Sequence, residues 1–413
     1  MAGMILIFLA MVNPLISFIL AMFSLRFGKS KDWRVPIVCI SLFFGNLSYC
    51  YIPESNGPDL YRYFEYFTSL KGMSLFETIN NAYRGSSLYV FNFLGWIGNS
   101  MEDLHIIPAV SVFFIYYICF YVTYNYCEME GYNRRKAFKY ILYAMICMDW
   151  YSLTNNVRNV LAFVIIGYAI YRDVYQQKRD LLTICCYVVP LFIHQTSVLF
   201  IVVRLALAIF RSKKYSRLII VFTILVNPVV DFLHENIRRI TSSPLIVFVI
   251  NKAYNYLFDT SSSYGLRVQR SVRSLIARIL YLSLVAIICF IIYKRNNSNY
   301  DEFKDDNNYS LYVLITGLIA LSCMSMLRPE YWRFAATVIT FGSVAVLPIM
   351  SNSSRSTISV ILVRILIPIL VILCGIISWY QITWTDTSQL ISDAILNVPI
   401  FNLIKGIANI IRG

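Results

Sequence analysis

The chain has 413 residues, 58% of them hydrophobic and only 14% charged, and carries a formal charge of +14. This is more apolar surface than one soluble core buries, and runs of eighteen or more apolar residues recur, which argues against a soluble globular domain and for an all-α polytopic membrane protein. The excess Lys and Arg fall in short clusters between apolar spans, where they set topology and meet anionic headgroups, so nucleic acid is a poor partner.

In chain order, the N-terminal stretch lacks a basic n-region and its apolar run continues to about Phe23, which predicts a retained helix over 3–24 in place of a cleaved signal. Further spans are expected over 35–51, 106–125, 137–153, 158–175, 181–193, 196–210, 217–232, 274–293, 308–327, 333–350 and 357–379. That is about twelve crossings. Clusters at Arg26, Lys29, Lys31 and Arg34, at Arg134, Arg135 and Lys136, at Lys178 and Arg179, from Arg211 to Arg217, and at Lys294 and Arg295 mark the cytoplasmic side. Both termini then fall outside. The apolar stretch Ser86 to Gly98 is short, and a crossing there would place the first two clusters on opposite sides. Residues 52–105 are therefore read as a first extracytoplasmic loop carrying a re-entrant or interfacial helix. A second loop, 231–273, forms with it a lid over the outer mouth, and 380–413 is an interfacial C-terminal tail of the single integral-membrane domain 1–413. Cysteines such as Cys39, Cys147 and Cys289 lie within spans and no CxxC pair occurs, so no disulfide framework, metal or cofactor is expected.

Arginines at the outer ends run against the cytoplasmic bias of basic residues, and phosphate is the anion whose geometry the guanidinium fork matches. Arg158, in Asn155-Asn156-Val157-Arg158, opens the fifth span, where helix amides favour an anion and Asn155 and Asn156 are further candidate donors. Arg328 and Arg333 flank the outer turn Arg328-Pro329-Glu330-Tyr331-Trp332-Arg333, with Glu330 either orienting them or forming a structural bridge and Tyr331 a substrate contact. Arg267, Arg270 and Arg278 share one helical face, as a second anion site or a headgroup contact would require. In the first loop, Asp59, Tyr61, Arg62, Tyr63, Tyr66 and Phe67 bring acid, base and aromatic rings together. A sugar site needs such a set, and an interfacial aromatic belt with Asp59 as helix cap would also show it. His194-Gln195-Thr196-Ser197 interrupts the outer turn between the sixth and seventh spans. His194 there can accept a proton from a sugar hydroxyl, donate to a phosphate, or bond helix to helix, with Gln195 as a neighbouring substrate contact.

Three of these segments carry a resemblance. Asp59 with Tyr61 and Tyr66, then Val157-Arg158-Asn159-Val160-Leu161-Ala162, then His194-Gln195-Thr196-Ser197-Val198-Leu199 resemble, in order and spacing, the signatures of bacterial Wzy/EpsG-type polysaccharide polymerases. The resemblance spans roughly residues 1–210; beyond it the basic turn Arg328–Arg333 is similar in kind. Asn159 stands where the family commonly has glutamine. What the resemblance implies is a C-type glycosyltransferase of the bacterial cytoplasmic membrane with its site facing the periplasm or exterior. It would move a growing O-antigen, capsule or exopolysaccharide chain from undecaprenyl pyrophosphate to the non-reducing end of the next lipid-linked repeat unit. A chain-length regulator is a candidate partner. The expected roles are catalysis by His194, Arg158 and Asp59, and substrate contacts from Tyr61, Arg62, Asn156, Gln195, Arg267, Arg270, Arg328, Glu330, Tyr331 and Arg333, without a metal because no outer DxD occurs. A lipid-linked oligosaccharide flippase, an O-antigen ligase and a membrane O-acyltransferase are the competing readings. The absence of a convincing internal repeat counts against the transporter.

Overall fold

Asn13-Pro14 interrupts the first apolar run of this computed structural model, which describes residues 2–28, 32–53, 59–83, 86–209, 228–237, 272–297, 306–324, 334–342 and 358–382, with isolated positions at 239–254 and 390. Asn13 is extended and its side chain accepts from the Ile16 amide at 3.0 Å, so α1 (Ala2–Val12) stops and α2 (Pro14–Phe27) starts with proline in its first turn. The Ser17 hydroxyl then donates back to the Leu6 carbonyl at 2.9 Å, folding the two helices onto each other. The single helix expected over 3–24 is thus corrected to a pair of about 16 Å and 21 Å, each shorter than the apolar core of a bilayer.

The chain divides into two compact units, Met1–Ile201 with Gly375–Gly413, and Val202–Cys374. In the first, α3 (Arg34–Tyr49) packs along α7 (Ile106–Met129). A Cβ on Gly45 would lie 2.8 Å from the Ala109 carbonyl, so glycine permits this close approach. Phe44 stacks on Tyr116 at 4.0 Å, and the Trp33 indole donates to Glu128 at 2.9 Å. At the other end of the pair the Tyr49 hydroxyl donates to Asp103.

Between them run the segments expected outside. They are α4 (Asp59–Ser69), α5 (Leu75–Asn80), two paired two-residue strands (Ala82–Tyr83 and Ser86–Ser87) and α6 (Tyr89–Ser100). The strand pair is a small departure from an all-α chain. Asn92, fully buried, donates to the Ile79 and Asn81 carbonyls at 3.3 and 2.7 Å, and Asn99 donates to the Phe67 carbonyl at 2.7 Å. These bonds tie α6 to α5 and α4 through backbone carbonyls at the ends of those helices.

The helix expected over 137–153 is also broken. The helix α8 (Arg134–Cys147) ends at Met148, whose carbonyl takes the Tyr116 hydroxyl at 3.2 Å. Asp149, bonded to the Ser152 hydroxyl at 2.6 Å, then starts α9 (Trp150–Asn155). Beyond Asn156 comes α10 (Val157–Ile170), continued by a π-helical turn Tyr171–Tyr175. Arg172 and Asp173 of that turn are buried and form nested ion pairs with Asp180 (2.5 Å) and Arg179 (2.9 Å). Asp180 also caps α11 (Leu181–Ile193) through the Thr183 amide at 3.0 Å. A 3₁₀ turn, Gln195–Ser197, leads to α12 (Val198–Ile209).

In the second unit the Val272–Asn297 and Asp306–Met324 helices pack together, with Gly317 against the Cys289 side chain. Helix Ile358–Ile382 spans the boundary between the units. Among the described residues, Ile106–Met129 and Leu275–Tyr293 are long and apolar enough to cross a membrane, and other apolar helices such as Arg34–Tyr49 and Leu181–Ile193 are shorter. Residues 217–227 and 343–350, and most of 231–273 and 380–413, lie outside the described residues.

Two predictions follow from this packing. A Cβ at Gly95 would lie 2.0 Å from the Phe67 ring, so Gly95→Ala overpacks α6 against α4 by about 1–3 kcal/mol and Phe67→Leu in the same chain restores part of it. Thermal unfolding in detergent measures both. The Arg172 guanidinium, then the Thr183 amide, hold the Asp180 carboxyl down to about 2. A depressed carboxylate stabilises the fold above its unfolded value of about 3.9 and loses that effect as pH falls through the folded one. Asp180→Asn should therefore lower thermal stability between pH 5 and 8, by an amount that shrinks from about pH 4 downward.

Candidate functional site

The start of α10 is placed by α9. The Trp150 indole donates to the Ser48 hydroxyl at 2.7 Å, Ser48 and Thr154 share a bond of 2.9 Å, and Asn155 donates to the Tyr51 hydroxyl at 3.3 Å. All of these groups are buried. They fasten α9 to the end of α3, and Asn156 both ends α9 and precedes α10.

Arg158, the second residue of α10, is half-buried. Its guanidinium lies 5.2 Å from the Tyr63 ring, 5.3 Å from Tyr83 and 6.0 Å from Phe91. These rings come from α4, the first strand and α6, so Arg158 is where the first outer region meets α10. Each is within cation–π range. Among the described residues Arg158 has no carboxylate partner, whereas Arg62, Arg172 and Arg179 each have one. Its Nε is buried with no hydrogen-bond acceptor among the described residues. Ring faces offset the positive charge but accept none of the in-plane N–H bonds, and a buried unmet donor costs about 1–3 kcal/mol. An anion would meet these donors and the unpaired amides of the helix end together.

The rings form a continuous set. Tyr63 meets Tyr83 at 5.7 Å and Phe91 at 5.0 Å, and Tyr66 meets Tyr83 at 4.7 Å. The Tyr66 hydroxyl donates to Asn81 at 3.3 Å, and burial pushes its phenol up, which keeps it a neutral donor. The Asn92 Oδ1 and Thr78 Oγ1 are buried without a hydrogen-bond partner among the described residues. Tyr83 and Phe91 are residues that sequence reasoning missed. Nothing local marks either one, because their contact with Arg158 is long-range.

The other expected residues divide. Asp59 is the first residue of α4 and pairs with Arg62 at 2.8 Å; Tyr61 beside them is half-buried. The Asn155 and Asn156 amides donate to the Tyr151 and Ser152 carbonyls at 3.0 and 2.9 Å, so those nitrogens serve the helix. His194 is 4% exposed, its ring edge-on to Phe163 at 5.7 Å, and its Nδ1 accepts the Thr196 amide at 3.1 Å. That bond leaves the proton of the neutral ring on Nε2, the arrangement that suits the donor role among those expected of His194. It is linked to the arginine through α6, whose Tyr89 meets Phe192 at 5.6 Å while Phe91 faces Arg158. Gln195 follows in the turn, half-buried. Arg278 is buried. Arg267, Arg270, Arg328, Glu330, Tyr331 and Arg333 lie outside the described residues.

Residues 33–392, most of the chain, match the EpsG family. No curated protein and no solved structure matches it. The chain belongs to the EpsG family and is, with it, a polysaccharide polymerase-type membrane protein.

The His194 geometry separates two isosteric substitutions. Asn keeps an acceptor near Nδ1 for the Thr196 amide, and Gln keeps a donor near Nε2. If the Nε2 proton does the work, polymer formation in membranes survives better in His194→Gln, while thermal stability survives better in His194→Asn. The reverse ranking of activity would assign His194 to the turn alone.

Proposed function

We propose that this EpsG-family chain is a glycosyltransferase that moves a growing glycan from undecaprenyl pyrophosphate to the non-reducing end of the next lipid-linked repeat unit, at the extracytoplasmic face of the cytoplasmic membrane. What carries the proposal is Arg158: a cation at a helix N-terminus, backed by three rings and without a carboxylate among the described residues.

In this transfer the bond from the anomeric carbon to the phosphate oxygen breaks and leaves its electron pair on the pyrophosphate. The acceptor hydroxyl forms the new glycosidic bond and gives up its proton. Arg158 meets the charge that grows on the leaving oxygen, and helix amides add donors already oriented toward it. His194 Nε2–H is a second donor to the phosphates. Asp59, whose Oδ1 holds Arg62, is the proposed proton acceptor, and the rings of Tyr63, Tyr66 and Tyr83 present faces for pyranose C–H groups. Arg267, Arg270, Arg328 and Arg333, with Glu330 and Tyr331, are proposed to complete the hold on the second lipid pyrophosphate. With arginine supplying the positive charge, the proposed transfer is metal-independent.

Purified protein given a lipid-linked repeat unit tests this. Arg158→Ala should slow chain growth by on the order of 10²–10³-fold, as loss of one oxyanion donor does. Arg158→Lys should fall between, because it keeps the charge and loses the fork. Chelator should leave the wild-type rate unchanged. Full chain growth by Arg158→Ala would sink the proposal.

A further inference from the structure

At the end of the first unit away from Arg158, six cations converge from three helices. Arg26 closes α2, Arg34 opens α3, and Arg134, Arg135, Lys136 and Lys139 lie along the start of α8. Arg26 bridges two of these helices, 5.1 Å from the Phe27 ring and 5.6 Å from Phe138 of α8, and Arg134 donates to the Gly28 carbonyl just beyond α2. Lys136 and Lys139 lie over Tyr132 and Tyr143. Among the described residues none of the six has a carboxylate within ion-pair distance. Among the described residues, Asp32 accepts the Arg34 backbone amide, Glu128 the Trp33 indole and Glu130 the Tyr175 hydroxyl. Three of the cations occupy the first turn of α8, which has no acid in it. Like charges there repel one another and the positive end of the helix, an arrangement that an external anion relieves.

The surface that leads to this cluster is apolar. Ile16, Leu20, Phe23 and Phe27 follow one another at helical spacing along α2 and are 46%, 42%, 59% and 60% exposed. Phe23 and Phe27 stack at 6.1 Å, next to Arg26. Eleven residues of rise make the stripe about 16 Å long, close to half the roughly 30 Å apolar core of a bilayer.

We infer that α2 and α8 form a seat for one anionic phospholipid, its acyl chain along the α2 stripe and its phosphodiester among Arg26, Arg135 and Lys136. Cations above and an apolar strip one leaflet long below match an amphiphile with a negative head. A soluble anion would have no use for the stripe, and a neutral lipid none for the cations.

Native mass spectrometry of the full-length purified protein, titrated with phosphatidylglycerol or phosphatidylcholine, tests the seat. The wild type should hold the anionic lipid preferentially. At about 1 kcal/mol for each cation near an anionic surface, and a tenfold change per 1.4 kcal/mol, the triple variant R26Q/R135Q/K136Q should lose on the order of 100-fold in phosphatidylglycerol affinity with no change for phosphatidylcholine. The double variant F23S/F27S should weaken both lipids. All five positions are exposed, so an unchanged melting temperature shows that the variants fold. Equal wild-type affinity for the two lipids would overturn the inference. So would displacement of phosphatidylglycerol by inorganic phosphate at equal concentration, which would mark a site for free phosphate.

Discussion

Arg158 sits against three aromatic rings, at the start of a helix that follows two breaks in the backbone, one at Met148–Asp149 and one at Asn156. Met148 ends α8 and Asp149 caps α9, and Asn156 redirects the chain again six residues after α9 begins. The short helix between is held to α3 by buried hydroxyl, indole and amide bonds, each of which would be costly to leave unmade in an apolar surround. α9 is thus a spacer whose position is determined by polar groups, and the guanidinium is its payload. The aromatic side is prepared as carefully. Asn92 and Asn99 pin α6 to the turns around it, and Phe67 occupies the space over Gly95.

The difference between Arg158 and the other arginines is one of neighbours. Arg172 and Asp173 hold a loop, with their charges closed on themselves. Arg62 is closed on Asp59. The cations of α2, α3 and α8 are exposed apart from Arg134, which is half-buried and donates to the Gly28 carbonyl. Arg158 alone among these is half-buried, aromatic-backed and without an acid among the described residues, a state that stores unmet donor capacity where a charged ligand could use it.

Much of the helical skeleton was legible in the sequence, because apolar periodicity and cap residues are local. The helix Leu181–Ile193 has the extent expected of the segment there, and α10 with its π turn covers 157–175 against an expected 158–175. The two broken spans carried their signals too: Asn13-Pro14 is a cap followed by a helix-starting proline, and Asp149 stands three before Ser152. Each was overridden by an apolar run that continues through it, since hydropathy measures what surrounds a segment and is blind to its direction. The site was legible only in part. Arg158, Asp59 and His194 stand out as polar residues in apolar company, but the rings that face Arg158 are ordinary members of an aromatic-rich chain. The tautomer of His194 depends on one amide of the following turn, a matter of geometry that residue identity does not contain.

The nested ion pairs of the π turn have a consequence at a distance. Two pairs, Arg172 with Asp180 and Asp173 with Arg179, enclose the loop so that neither side of it can slip by a residue without breaking both. Asp180 is also the cap from which α11 is counted. Thirteen helical residues later that count arrives at His194, so α11 behaves as a ruler of about 20 Å whose zero mark is nailed at one end while its reading is taken at the other. The depth of the imidazole along α10 is therefore a length measured out from the far end of the helix pair.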